Sequence, residues 1–299
     1  MKYNLLGKSD LSVSEVSFGC MSLGDDDAEN KQLLHQALDK GINFFDTADL
    51  YAKGENERTV GKAFQGMRDQ VYIATKVGNQ WRPDGSGWDW NPRKEYILQA
   101  VDKSLQRLQT AYIDLYQLHG GTIDDPMDET IEAFELLQQQ GKIRYFGISS
   151  IRPNVVREFV IRSSIVSVMM QYSLLDRRPE EAVLPLLQQH NIGVLARGSL
   201  AQGLLAGKPA KPYLNYVTDE VRKAAEAVSA LAGESGNAAA TAVRYVLQQP
   251  AITTAVLGIR TNEHLKDALA ASTTTAPLAD QAIQKLQAAL PLNKYEQHR

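Results

Sequence analysis

A chain of 299 residues, 43% of them hydrophobic, holds enough apolar material for one large core, and its length suits a single α/β barrel as well as two smaller domains. A net charge of -3, with acidic and basic residues interspersed, leaves no electrostatic footprint for nucleic acid or an anionic membrane surface. The one cysteine, Cys20, excludes an internal disulfide and a thiolate cluster for zinc or iron and sulfur, and fits a reducing, cytoplasmic compartment.

In chain order, MKYNLLGKSD lacks the long apolar stretch of a signal peptide, and no later window reaches the run that a membrane helix needs, so a soluble protein is expected. The segment YNLLGKSDLSVSEV sets a turn-rich GKSD between two apolar pieces and predicts a small hairpin capping the bottom of the fold. Short runs rich in β-branched and aromatic residues follow at Glu15 to Gly19, Asn43 to Asp46, Val71 to Lys76 and Ile113 to His119. Four more lie at Tyr145 to Ser149, Ser167 to Gln171, Gly193 to Arg197 and Thr254 to Leu257. Between them, NKQLLHQALDK, PRKEYILQAVDKSLQRL and MDETIEAFELLQQQ place apolar residues at three- and four-residue spacing, the mark of amphipathic helices. Strand and helix alternating eight times predict a (β/α)8 TIM barrel over residues 1–299 as one domain, with an N-terminal β-hairpin and an additional C-terminal helix.

Three of the apolar runs stop at a reactive residue. INFFD ends at Asp46 with Tyr51 five residues on, VYIATK ends at Lys76, and IDLYQLH ends at His119. In a barrel of parallel strands these ends open onto one rim, so the four side chains meet in one cleft. Each has a plainer reading alone: Asp46 as a helix cap, Lys76 as a solvated strand end, His119 as a satisfied core residue. Coincidence at three successive strand ends argues against four separate accidents. Two long insertions, GNQWRPDGSGWDWNP and SLAQGLLAGKPAKPYLNYVTDE, also follow strand ends. Trp81, Trp88, Trp90, Tyr213 and Tyr216 there either wall a substrate pocket or fold onto the barrel's own surface. None of His35, His190 or His298 falls at a strand end, and no metal site is expected.

The segments GINFFDTADLYAKGENERTVGKAF, VYIATKVG, IDLYQLHG, IRYFGISS, VMMQYSLLDR and SLAQGLLAGK, in that order along nearly the whole chain, resemble the aldo-keto reductases. The resemblance implies a catalytic tetrad at Asp46, Tyr51, Lys76 and His119 that reduces aldehydes or ketones with hydride from a nicotinamide dinucleotide. Tyr51 would supply the proton, Lys76 and Asp46 would tune it, and His119 would orient the carbonyl oxygen. It also implies amide contacts from Ser149 and Gln171, with Ser150 standing where relatives have asparagine. Arg197 occupies a position where relatives stack an aromatic ring on the nicotinamide. Ser199, Leu200, Gln202 and Lys208 would surround the pyrophosphate, and Gly258, Arg260, His264 and Asp267 the adenosine end. Arg260 favours NADPH ahead of NADH as cofactor, although His264 sits where relatives have arginine or glutamine. The partner implied is a small-molecule carbonyl substrate, and no oligomeric state is implied. A second reading is a cofactor-binding sensor resembling the β-subunits of potassium channels, in which the barrel docks onto a partner instead of turning over.

Overall fold

A computed structural model describes residues 1–233, 236–273 and 278–299. The chain starts as an antiparallel hairpin of β1 (Tyr3–Leu5) and β2 (Ser12–Ser14). It continues through β3 (Val16–Gly19), α1 (Asp27–Asp39), β4 (Phe44–Asp46), α2 (Glu55–Ala63) and β5 (Tyr72–Val77). A second antiparallel hairpin of β6 (Asn79–Trp81) and β7 (Trp88–Trp90) lies inside the first long insertion, where sequence predicts only a loop. Then come α3 (Lys94–Leu108), β8 (Ile113–Leu118), α4 (Met127–Gln139), β9 (Ile143–Ser149), α5 (Pro153–Arg162) and β10 (Ser167–Gln171). The circuit ends with α6 (Val183–Gln189), β11 (Gly193–Arg197), α7 (Thr218–Ala232), α8 (Ala238–Leu247), β12 (Ile252–Gly258) and α9 (Asn262–Thr273), followed by α10 (Asp280–Ala288). Strands β3, β4, β5, β8, β9, β10, β11 and β12 pair in parallel, each with its successor, and β12 closes on β3. All eight predicted strands are present, within two residues of their expected ends.

The barrel closes because its strands are apolar on both faces. Outward side chains such as Phe45, Ile73 and Tyr116 join the helices in one core, while Phe44, Ala74, Leu115, Met169, Leu195 and Val256 fill the interior. Leu6, Leu11 and Val13 from the first hairpin pack into that interior cluster, so the hairpin plugs the barrel's amino end as expected. Gly7 makes this possible: its φ of 55° lies in the left-handed region, and a Cβ there would collide with backbone atoms of Val166 and Gly193, where β10 and β11 begin. Among the described residues no helix is long and apolar enough to cross a membrane.

Side chains alternate along a strand, so the interior residues fix which neighbours point inward at the carboxyl ends. Phe44 shares parity with Asp46, Ala74 with Lys76, and Leu115 with Gln117 and His119. The same count links Met169 to Gln171, Leu195 to Arg197 and Val256 to Gly258. The interior pattern that closes the barrel therefore aims the reactive groups at its upper mouth.

Candidate active site

The upper mouth holds a cleft of about 890 Å³ with Asp46, Tyr51, Lys76 and His119 among its lining. Lys76 is the centre of the group and has no exposed surface. Its Nζ donates to Asp46 Oδ2 at 2.6 Å, to the Thr47 carbonyl at 2.7 Å and to Tyr51 Oη at 3.3 Å. An ammonium has three hydrogens, and all three are committed. Burial works against charge on Lys76, but the Asp46 carboxylate and the Tyr51 oxygen more than offset it and hold the ammonium above its ordinary value. Gln117 Nε2 reaches the other Asp46 oxygen at 3.4 Å, which leaves the carboxylate little freedom. The Tyr51 and His119 rings meet edge-on, their centroids 5.8 Å apart at 82°.

Burial, with the Lys76 and Arg197 charges, pushes His119 down to about 3, so its ring is neutral across the physiological range. Its Nδ1 is buried without a hydrogen-bond partner. The main chain holds the residue in place, with the His119 amide donating to the Val77 carbonyl at 2.8 Å.

Of the positions expected to hold a cofactor, Ser149, Ser150, Arg197, Ser199, Leu200, Gln202 and Lys208 line the same cleft, as do Gly258, His264 and Asp267. Gln171 and Arg260 do not. Gln171 Nε2 is turned sideways, donating to Asp176 Oδ2 and Tyr213 Oη, both at 2.9 Å, while its Oε1 accepts from Arg197 Nη1 at 3.2 Å. Arg260 is exposed on the turn before α9, and its backbone amide reaches His264 Nδ1 at 3.4 Å. The loop aromatics stand outside the cleft. Tyr213 holds Gln171, Tyr216 donates to the Pro291 carbonyl, Trp88 is exposed, and none of these, nor Trp81 or Trp90, lines the cleft. Sequence reading passed over Met21, Ser22 and Arg152, and Ala239 and Val243 of α8, all of which line it. The signal for α8 was legible: Asn237 is its N-cap, accepting from Ala240 N, and donates to Asp267 at 2.6 Å.

The lining suits an elongated anionic dinucleotide. Ser199, whose buried Oγ has no hydrogen-bond partner, lines the cleft together with Lys208 and His264. Arg197 and His119 line the cleft together with Lys76, and the Lys76 and Arg197 charges both act on the His119 ring.

A closed parallel barrel with a buried ammonium, a phenol and a neutral imidazole at its carboxyl rim is the frame of a barrel enzyme. Residues 15–291 match the model of the Aldo/keto reductase family. The uncharacterized oxidoreductase YqkF of Bacillus subtilis (strain 168) is 48% identical over the full length of both chains. The aldo-keto reductase AKR11C1 from Bacillus halodurans is 49% identical in its holo form, with a TM-score of 0.94 over 100% of this chain and 99% of that one. Its apo form gives a TM-score of 0.86 over the same shares at 46% identity. Aldo-keto reductase yakc [NADP(+)] of Schizosaccharomyces pombe (strain 972 / ATCC 24843) is 33% identical over 67% of this chain and 62% of its own. The chain belongs to the aldo-keto reductase family. It is a nicotinamide-dependent oxidoreductase built on that family's (β/α)8 barrel.

Proposed function

We propose that the protein reduces aldehydes or ketones to alcohols with NADPH, by direct hydride transfer, with Tyr51 as the general acid. The observation that carries this reading is the Lys76 ammonium, buried and fully committed between Asp46, Thr47 and Tyr51. Bound NADPH would supply the hydride. As hydride reaches the carbonyl carbon, negative charge builds on the oxygen and a placed proton donor lowers the barrier. Tyr51 gives its phenolic proton to that oxygen, and the Lys76 hydrogen bond stabilises the phenolate left behind. Asp46 keeps Lys76 charged and fixed. Neutral His119 offers a ring N–H to the same oxygen and orients it without adding a charge beside Lys76.

The phosphate end would rest on Ser199, Lys208 and His264, and a relative named with NADP(+) supports NADPH ahead of NADH. Arg197, fixed by Gln171 Oε1, would face the nicotinamide with a cation that disfavours the oxidised ring. All four tetrad groups converge, so nothing in the site favours a binding-only barrel.

The test is oxidation of NADPH, followed by absorbance, with a panel of aldehydes, ketones and sugars. Tyr51→Phe should lower turnover by about 10²- to 10⁴-fold, the usual worth of a placed general acid. Equal rates in both proteins remove Tyr51 from that role. A clear advantage for NADH in the same assay overturns the cofactor preference.

A further inference from the structure

Hairpin β6–β7 contributes only structure-bearing contacts, yet it reaches the backbone beside three of the four tetrad residues. Tyr51 is followed by Ala52, Lys53 and Gly54, with φ of 48°, 54° and 89°. Two non-glycine residues in the left-handed region are strained, and such backbone persists only where its surroundings over-determine it. The hairpin supplies part of that constraint. Lys53 Nζ donates to the Gly85 carbonyl at 3.3 Å and stands 5.2 Å above the Trp81 ring. Trp81 Nε1 donates to the Leu50 carbonyl at 3.3 Å. The chain is thus tied to the hairpin on both sides of Tyr51.

The other end of the hairpin serves the other two residues. Gly78 lies two positions after Lys76 and Gly120 directly after His119, with φ of 123° and 145°. The Trp90 ring covers both, so a Cβ at Gly78 would come within 2.6 Å of it and one at Gly120 within 3.2 Å. Trp90 is itself anchored: its Nε1 donates to both Asp125 oxygens, at 3.1 and 3.0 Å, and Asp125 accepts from the Thr122 amide at 2.7 Å. Asn79 Nδ2 adds a bond to the His119 carbonyl at 3.4 Å.

We propose that the β6–β7 hairpin is a brace that sets the mutual spacing of Tyr51, Lys76 and His119, with Lys53, Trp81 and Trp90 as positioning residues. It acts through the backbone, since neither indole lines the cleft. The proposal rests on the reading of Tyr51 as proton donor given above. A small displacement of phenol or imidazole slows the chemical step far more than it weakens cofactor binding.

The test compares Lys53→Met, Trp81→Ala, Trp90→Ala and Trp90→Phe in the full chain, with Tyr51→Phe as reference. Measured are kcat and KM for a generic aldehyde, NADPH affinity by calorimetry, and Tm. The expected result for the alanine variants is a loss in kcat of about tenfold or more, with NADPH Kd within about twofold of wild type. Trp90→Phe, which keeps a ring over the glycines, should recover most of what Trp90→Ala loses. A hairpin that only stabilises the fold would lower Tm and leave kcat of the folded enzyme at the wild-type value, and that result overturns the proposal. Equal losses in kcat and NADPH affinity overturn it as well. Lys53 is exposed, so Lys53→Met decides the matter where Trp81→Ala does not fold. Wild-type turnover in Tyr51→Phe would defeat the functional reading itself. A strongly impaired Tyr51→Phe beside fully active hairpin variants would defeat the brace alone.

Discussion

At the level of a single side chain, His119 ties stability to pH through its buried ring. Its folded value of about 3 lies below the 6.5 or so of an unfolded histidine. Between those limits the unfolded chain binds a proton that the folded chain refuses, so this residue makes stability fall as pH drops from about 6.5 to 3. Replacing His119 by Asn should remove up to about 1.4 kcal/mol per pH unit from that acid slope. Denaturant midpoints between pH 4 and 7 check this, and identical slopes in both proteins would show that the ring is not held neutral. Residues of this kind were readable from sequence because each ends an apolar run. The orientation of Gln171 was not, since Asp176 and Tyr213, from separate segments, decide where its amide hydrogens go.

Between elements, the joint of α2, α3 and β5 sits directly behind the rim. Glu57 on α2 has no exposed surface, and its carboxylate accepts from Arg107 Nε on α3 and from Thr75 Oγ1 on β5, both at 2.6 Å. Asp49, buried on the loop that leads to Tyr51, is pushed up to about 8 by burial and then by the Glu57 charge, with Arg107 opposing. Arg107→Ala would leave the buried Glu57 carboxylate without its counter-charge at a cost of roughly 3–5 kcal/mol. Urea unfolding measures the loss, and adding Glu57→Gln should return part of it. A loss below about 1 kcal/mol would mean the pair behaves like a surface bridge. Barrel strands and long helices were legible here because their periodicity runs for many residues. β6 and β7 were not, because three residues apiece carry too little alternation to separate a strand from a loop.

At the scale of the whole molecule, stability and chemistry occupy opposite ends of the barrel. The plug at the amino end buries Leu6, Leu11 and Val13, whereas every group assigned a role in reduction lies at the carboxyl end. Leu11→Ala should cost about 2–5 kcal/mol, as other buried leucine truncations do, and leave kcat and KM at 25 °C unchanged. Calorimetric unfolding and a steady-state assay on one preparation test both halves, and a fall in kcat would show that the two ends are coupled. The overall plan was open to sequence reading since eight apolar runs announce themselves. The shape of the cleft was not, because α8 and the loops reach it from positions far apart in the chain.

The alternation that points Phe44, Ala74 and Leu115 inward also makes the enzyme unequally tolerant of insertions and deletions. One residue lost from the middle of β5 would exchange the two faces of the remainder of that strand, delivering Val77 to the mouth and Lys76 to the helices. In the loops, a length change of the same size merely alters a connection. Strand length is therefore the variable that selection can least afford to drift, and the record of indels in this lineage should fall almost wholly outside the eight strands.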